Sequence, residues 1–138
     1  QADRIDIDPA GNLHLYDYKT GKAPGDKQQK HFDKQLLLSA AIATQSGFAP
    51  IAPAKVARAV FISLGSGKAE EPAPLDTEPP AKVWNEFRDL IARYMSPDLG
   101  YTSRRAYEKT TDTGDYDQLA RFGEWGITDD PDPREVGQ

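Results

Sequence analysis

Asp3-Arg4-Ile5-Asp6-Ile7, then Asp8-Pro9-Ala10-Gly11-Asn12, then Leu13-His14-Leu15-Tyr16-Asp17-Tyr18-Lys19 is the stretch on which the fold turns. Both outer runs alternate apolar and polar residues with period two, the pattern of a half-buried strand. The five residues between them are turn formers, so the whole predicts a β-hairpin with a five-residue loop. Antiparallel partners keep a constant sum of residue numbers. If Ile7 pairs with Leu13, Ile5 faces Leu15 and Asp3 faces Asp17. Directly opposed side chains have Cβ atoms about 4.5–5.5 Å apart, so this register sets two carboxylates side by side. Lys19 falls two residues further on, on the face of Asp17, about 6.7 Å along the strand.

Two like charges at that spacing repel, and a hard divalent cation removes the penalty: Mg²⁺ takes one or two carboxylates together with water and substrate phosphate oxygens. An ammonium beside it can orient a water or steady charge on a phosphate. Asp3, Asp17 and Lys19 are therefore the minimal set for metal-assisted phosphodiester hydrolysis.

Working outward, residues 20–29 carry Gly21, Pro24 and Gly25 and read as loop. Residues 32–46 are rich in helix formers, with Gly47 where a C-terminal cap belongs, and the apolar girth predicts a mostly buried helix. Residues 56–64 are apolar on both faces, which suits a central strand covered on two sides. Residues 69–80 hold four prolines and four acids and read as an exposed linker. Val83, Phe87, Leu90, Ile91 and Tyr94 recur at helical spacing over residues 82–95. A short helix is expected over residues 116–125, with Leu119 and Phe122 inward, and an acidic disordered tail over residues 129–138. The expected organisation is a core over residues 1–110 and an extension over residues 111–138.

The chain has 138 residues, enough for one domain with a real core. Its net charge of −5 argues against a wrapper of nucleic acid, yet residues 19–34 hold five lysines against two aspartates, a local basic run suited to a phosphate backbone. The absence of cysteine excludes disulfides, thiolate zinc, iron–sulfur ligation and cysteine nucleophiles on this segment. No apolar run approaches the roughly 20 residues of a membrane span. Without an initiator Met or signal pattern at Gln1, the chain reads as a segment of a longer protein. Residues 6–17 only faintly echo a calcium loop, and Gly65-Ser66-Gly67-Lys68 lacks the first glycine and the hydroxyl residue of a P-loop. His14 and His31 have no partner at ligand spacing.

Ala2-Asp3-Arg4-Ile5-Asp6, a turn, Leu15-Tyr16-Asp17-Tyr18-Lys19-Thr20-Gly21-Lys22 and, later, Gln35-Leu36-Leu37-Leu38-Ser39-Ala40-Ala41-Ile42-Ala43 together resemble the RecB-like branch of the PD-(D/E)XK nuclease superfamily. Within it the chain looks most like the C-terminal nuclease domains of AddB-type subunits of bacterial double-strand-break resection complexes. Residues 1–65 carry the likeness. Tyr101-Thr102-Ser103-Arg104-Arg105 and Gly114-Asp115-Tyr116-Asp117 resemble the tail of alphaproteobacterial members more loosely.

The resemblance implies an α/β, restriction-endonuclease-like mixed sheet flanked by helices, with the first helix missing from this segment. It implies a Mg²⁺-dependent DNA nuclease, Mn²⁺ being a possible substitute, in a cytoplasmic, nucleoid-associated complex with an AddA-like helicase–nuclease subunit. Asp3 matches the first metal-binding aspartate, Asp17 the acid of the D-x-K motif and Lys19 its catalytic lysine. Tyr18 falls where the family offers a backbone carbonyl to the metal. Gln35 matches the glutamine of a Gln-x-x-x-Tyr motif that approaches DNA or the edge of the active site, although Ser39 stands in the aromatic position. Lys22, Arg104 and Arg105 are further candidates for DNA contact. The family's upstream helical acid would lie ahead of Gln1. A nuclease fold kept as a non-catalytic DNA-binding or assembly module is the alternative.

Overall fold

The computed structural model describes residues 2–65, 68–100, 114–126 and 128–130. Its elements are β1 (Arg4–Ile7), β2 (Leu13–Lys19), α1 (Asp26–His31), α2 (Gln35–Gln45), β3 (Val56–Ser63), β4 (Glu70–Pro72) and α3 (Pro80–Tyr94). The four strands form one sheet in the order β1-β2-β3-β4. β1 and β4 run antiparallel to their neighbours, and β2 and β3 run parallel, so the sheet is mixed. With its helices it is the α/β architecture expected of a restriction-endonuclease-like fold.

The hairpin forms in the expected register, Ile7 opposite Leu13 and Ile5 opposite Leu15. Its loop closes on Asp8, whose Oδ1 accepts from the amides of Ala10 at 2.9 Å and Asn12 at 2.8 Å, an Asx-type turn. Gly11 completes it at φ +84°, a left-handed conformation that costs a side-chain-bearing residue about 1–2 kcal/mol.

Leu13, Leu15 and Asp17 share one buried face of β2, since alternate residues of a strand point the same way. Leu13 and Leu15 pack there with Leu36, Leu37, Ala40 and Ala41 of α2 and with Ala59 and Phe61 of β3. α2 is the mostly buried helix expected, and Gly47 follows its end at φ +70°. In β3 the adjacent Val60 and Phe61 are both fully buried, so the strand is covered on both faces at that point.

Three stretches differ from the sequence reading. Within the expected loop at residues 20–29, α1 begins at Asp26; this single short turn-and-a-half has no apolar period to betray it. A polar residue anchors it: the buried Gln29 donates through Nε2 to the carbonyls of Pro24 at 3.0 Å and Pro72 at 3.3 Å. Phe32, Asp33 and Lys34 become the connector, so α2 starts at Gln35 rather than residue 32. The Pro- and acid-rich run at residues 69–80 supplies the edge strand β4, where Pro72 is tolerated because an edge leaves one side of the ladder free of partners.

α3 starts two residues early, with Pro80 at its first position, where its missing N–H costs nothing. Of its apolar face Val83 is buried, while Phe87, Leu90 and Ile91 are exposed. Residues 116–125 form successive turns, not a helix. Arg121 (φ +52°) and Gly123 (φ +98°) leave the right-handed helical region, and Leu119 faces solvent at 81% exposure instead of packing inward. The tail beyond residue 130 lies outside the described residues. By its internal contacts the chain divides into two units, residues 1–89 and 90–138, and the whole sheet belongs to the first.

Candidate active site

The parallel strands β2 and β3 end together, Lys19 opposite Ser63. In open α/β sheets the crevice beyond the carboxyl ends of parallel strands is the usual ligand site. α2 begins there, at Gln35.

Asp17 stands on the last buried turn of the β2 ladder with only 3% of its surface exposed. Its Oδ1 accepts a short hydrogen bond from Gln35 Nε2. Its Oδ2 lies 2.9 Å from Lys19 Nζ, an ion-pair contact at an angle outside hydrogen-bond geometry, and this buried oxygen has no hydrogen-bond donor. Lys19 Nζ donates to Gln35 Oε1 at 2.9 Å and stands 5.0 Å from the centroid of the Phe61 ring, within cation–π range. Asp17, Lys19 and Gln35 thus close a triangle in which each touches the other two.

Asp3 joins from β1. Continuation of the hairpin register sets it across from Asp17, and its Oδ2 accepts the Tyr18 amide at 2.9 Å. The repulsion expected between the two carboxylates is relieved by the chain's own groups: the Lys19 ammonium against Asp17 and a backbone N–H against Asp3. Tyr18, whose carbonyl the resemblance assigns to a metal, lends its amide to Asp3.

The other two hairpin acids are engaged elsewhere. Asp6 takes a two-pronged bond from Arg4 at 2.9 and 2.7 Å, which holds its carboxyl below the ordinary carboxylate range and the guanidinium above its own. Asp8 is drawn down to about 2, first by the Asn12 side chain and then by the Asn12 amide within the turn. That division leaves Asp3 and Asp17 as the acids at the strand end.

Of the residues expected at the site, Asp3, Asp17, Tyr18, Lys19 and Gln35 come together. Lys22 is exposed on the loop leaving β2. Arg104 and Arg105 lie outside the described residues. The partnership of Gln35 with both Asp17 and Lys19 was invisible to spacing rules, because it depends on where the crossover returns α2. Phe61 is set beside Asp17 by the parallel register, which no spacing in the sequence gives.

A family model for the PD-(D/E)XK nuclease superfamily matches residues 1–116. The chain belongs to that superfamily. No curated protein and no solved structure matches it. Members of the PD-(D/E)XK superfamily are generally nucleases, hydrolases of phosphodiester bonds, and they typically use divalent metal ions. Among the described residues no group of three or more His, Cys, Asp or Glu is placed to hold a metal ion by itself. The donor set nevertheless fits a hard cation: two carboxylates satisfy Mg²⁺ when water and phosphate oxygens complete its shell, and the buried Oδ2 of Asp17 has lone pairs that no donor uses. No helix among the described residues is long and apolar enough to cross a membrane.

Proposed function

We propose that the chain is a Mg²⁺-dependent DNA nuclease domain, the nuclease part of an AddB-type subunit that works with an AddA-like partner in bacterial double-strand-break end resection and recombinational repair. The observation that carries the nuclease reading is the meeting of Asp3, Asp17 and Lys19 at the open end of the parallel strand pair. The assignment to a helicase–nuclease complex in the bacterial cytoplasm rests on the Asp-Arg-Ile-Asp and Asp-Tyr-Lys-Thr-Gly runs.

In this reading Asp3 and Asp17 hold the metal, for which Mn²⁺ is a substitute. Bound there, the metal supplies positive charge to a phosphodiester and lowers the pKa of water. The protein's own part is positional. The Lys19 ammonium has three N–H donors; one goes to Gln35, and the cation is pinned between Asp17 and the Phe61 ring. Its remaining donor capacity serves a phosphate oxygen or an attacking water. In-line attack on phosphorus then forms one P–O bond and breaks another, and Lys19 opposes the charge that builds on the non-bridging oxygens. Lys22 meets the DNA backbone, as do Arg104 and Arg105 by the family likeness.

Cleavage of linear DNA in millimolar Mg²⁺ tests the reading. Asp17→Ala is expected to lower the rate by about 100-fold or more, the scale of losing one electrostatic element of such a site. Undiminished Mg²⁺-dependent cleavage by Asp17→Ala would contradict it. One observation favours a non-catalytic DNA-binding or assembly module: Gln35 already occupies Asp17 Oδ1 and one donor of Lys19. Metal-independent DNA binding that survives Asp3→Ala and Asp17→Ala, with no cleavage by the unaltered chain, would point there.

A further inference from the structure

Near the acid–lysine site the end of β3 borders a small recess. Lys22, Ala23, Ser63, Lys68 and Glu71 line about 40 Å³ there. The volume admits a few water-sized groups, the size of phosphate oxygens and far too little for a base.

Backbone contacts fix its walls. Leu64 donates its amide to the Lys19 carbonyl at 2.8 Å, Ser63 donates its amide to the Ala69 carbonyl at 3.0 Å, and Ser63 Oγ donates to the Gly21 carbonyl at 2.8 Å. The two loops approach so closely at Gly65 that a Cβ there would stand 2.6 Å from the Thr20 carbonyl oxygen. Lys22 and Lys68 thus line a recess whose frame is set before any ligand arrives. Ser63, which lines it, stands across the ladder from Lys19 of the candidate active site. The charge the recess holds is two ammonium groups against one carboxylate, and Glu71 binds Lys68 at 3.1 Å as an internal stand-in for an anion.

We propose that Lys22, Ser63 and Lys68 form a subsite for a backbone phosphate of the nucleic-acid strand, next to the phosphodiester that is cut. The proposal rests on the nuclease reading and adds to it a register for the strand: one phosphate at Lys19, a neighbour at the Lys22–Lys68 recess. When the strand arrives, its phosphate displaces the Glu71 carboxylate from Lys68. Ser63 Oγ, which accepts as well as donates, is free to turn its donor from Gly21 to the phosphate.

The test is oligonucleotide binding by fluorescence anisotropy, in EDTA and in Mg²⁺, over a series of salt concentrations, with variants matched in charge. Lys68→Gln is expected to weaken binding about threefold or more at low salt and to reduce the slope of log K against log[salt] by about 0.7–0.9, the signature of one lost phosphate contact. Lys55→Gln removes the same charge just before β3 begins, about 26 Å of strand away from Ser63, and is expected to leave the slope unchanged. Glu71→Gln is expected to tighten binding. Glu70→Gln, with the same change in net charge on a side chain paired to Arg58, is expected not to.

A slope for Lys68→Gln equal to that of the unaltered chain, or an equal effect of Lys55→Gln, overturns the subsite. If cleavage by the unaltered chain is still abolished in Asp17→Ala, the nuclease reading survives that result. Failure of the unaltered chain to bind DNA in either medium defeats both.

Discussion

Gln35 is the residue on which the local chemistry turns. One amide group donates to Asp17 and accepts from Lys19, so a single side chain sets the separation of acid and base. Hydrogen bonds to charged groups contribute about 1.5–3 kcal/mol. Gln35→Ala is therefore expected to slow cleavage by roughly 10- to 100-fold while DNA affinity stays within about twofold. A variant that binds DNA much more weakly and cuts bound DNA at the normal rate would return Gln35 to the role of a DNA contact. Asp8, at the other end of the hairpin, carries a pH dependence of known sign. Its carboxyl is held at about 2 in the folded chain against an ordinary value of 3.8. A depressed carboxyl stabilises the folded state fully above the ordinary value, and the contribution is lost as pH falls through the folded value. The Tm difference between the unaltered chain and Asp8→Ala should be constant near neutrality, shrink as pH drops below about 4, and be smallest near pH 2. A difference that grew with acidification would show that the turn does not hold Asp8 ionised.

At the scale of elements, the hairpin was legible because two independent rules agreed: period-two alternation on both sides and a turn-forming loop between. A constant sum of residue numbers then brought Asp3 to Asp17 without any three-dimensional information. α1 and β4 were not legible. The first is six residues held by a buried glutamine, and the second is three residues of Glu-Glu-Pro whose only strand signal is the neighbour they pair with. Residues 116–125 misled in the opposite sense, since their apolar spacing suits a helix but Arg121 and Gly123 adopt left-handed conformations. α2 carries Gln35 to the site, and its far end depends on Gly47. That residue sits at φ +70°, and a Cβ there would stand 2.8 Å from Ala52 C and Pro53 N. Gly47→Ala adds a steric clash to the left-handed penalty and is expected to cost about 2 kcal/mol or more. A thermal melt checks it: Tm should fall by several degrees. An unchanged Tm would mean that the turn after α2 relaxes freely.

Over the whole molecule, charge is distributed with a purpose that the net value conceals. The chain is acidic overall, yet residues 19–34 hold five lysines against two aspartates; of these Lys19 stands at Asp17, while Lys30 pairs with Asp26 and Lys34 with Glu86. On the remainder of the hairpin Asp6 is paired with the Arg4 cation, and Asp8 is held ionised by the donors of the turn. Asp3, Asp17 and Lys19 were readable from sequence because all three belong to one hairpin. Their partners Gln35 and Phe61 arrive through the crossover from β2 to β3, and no local pattern encodes its return. The parallel pairing of those two strands brings Lys19 and Ser63 to one end of the sheet, where the proposed phosphate positions would both lie. Metal-dependent cleavage requires that the carboxylates of this crevice hold a divalent ion. Calorimetric titration of Mn²⁺ and Mg²⁺ into the chain, with Asp17→Ala beside it, measures that directly. Saturable binding by the unaltered chain is expected to disappear in Asp17→Ala. Equal binding by both proteins, or none by the unaltered chain, would contradict it.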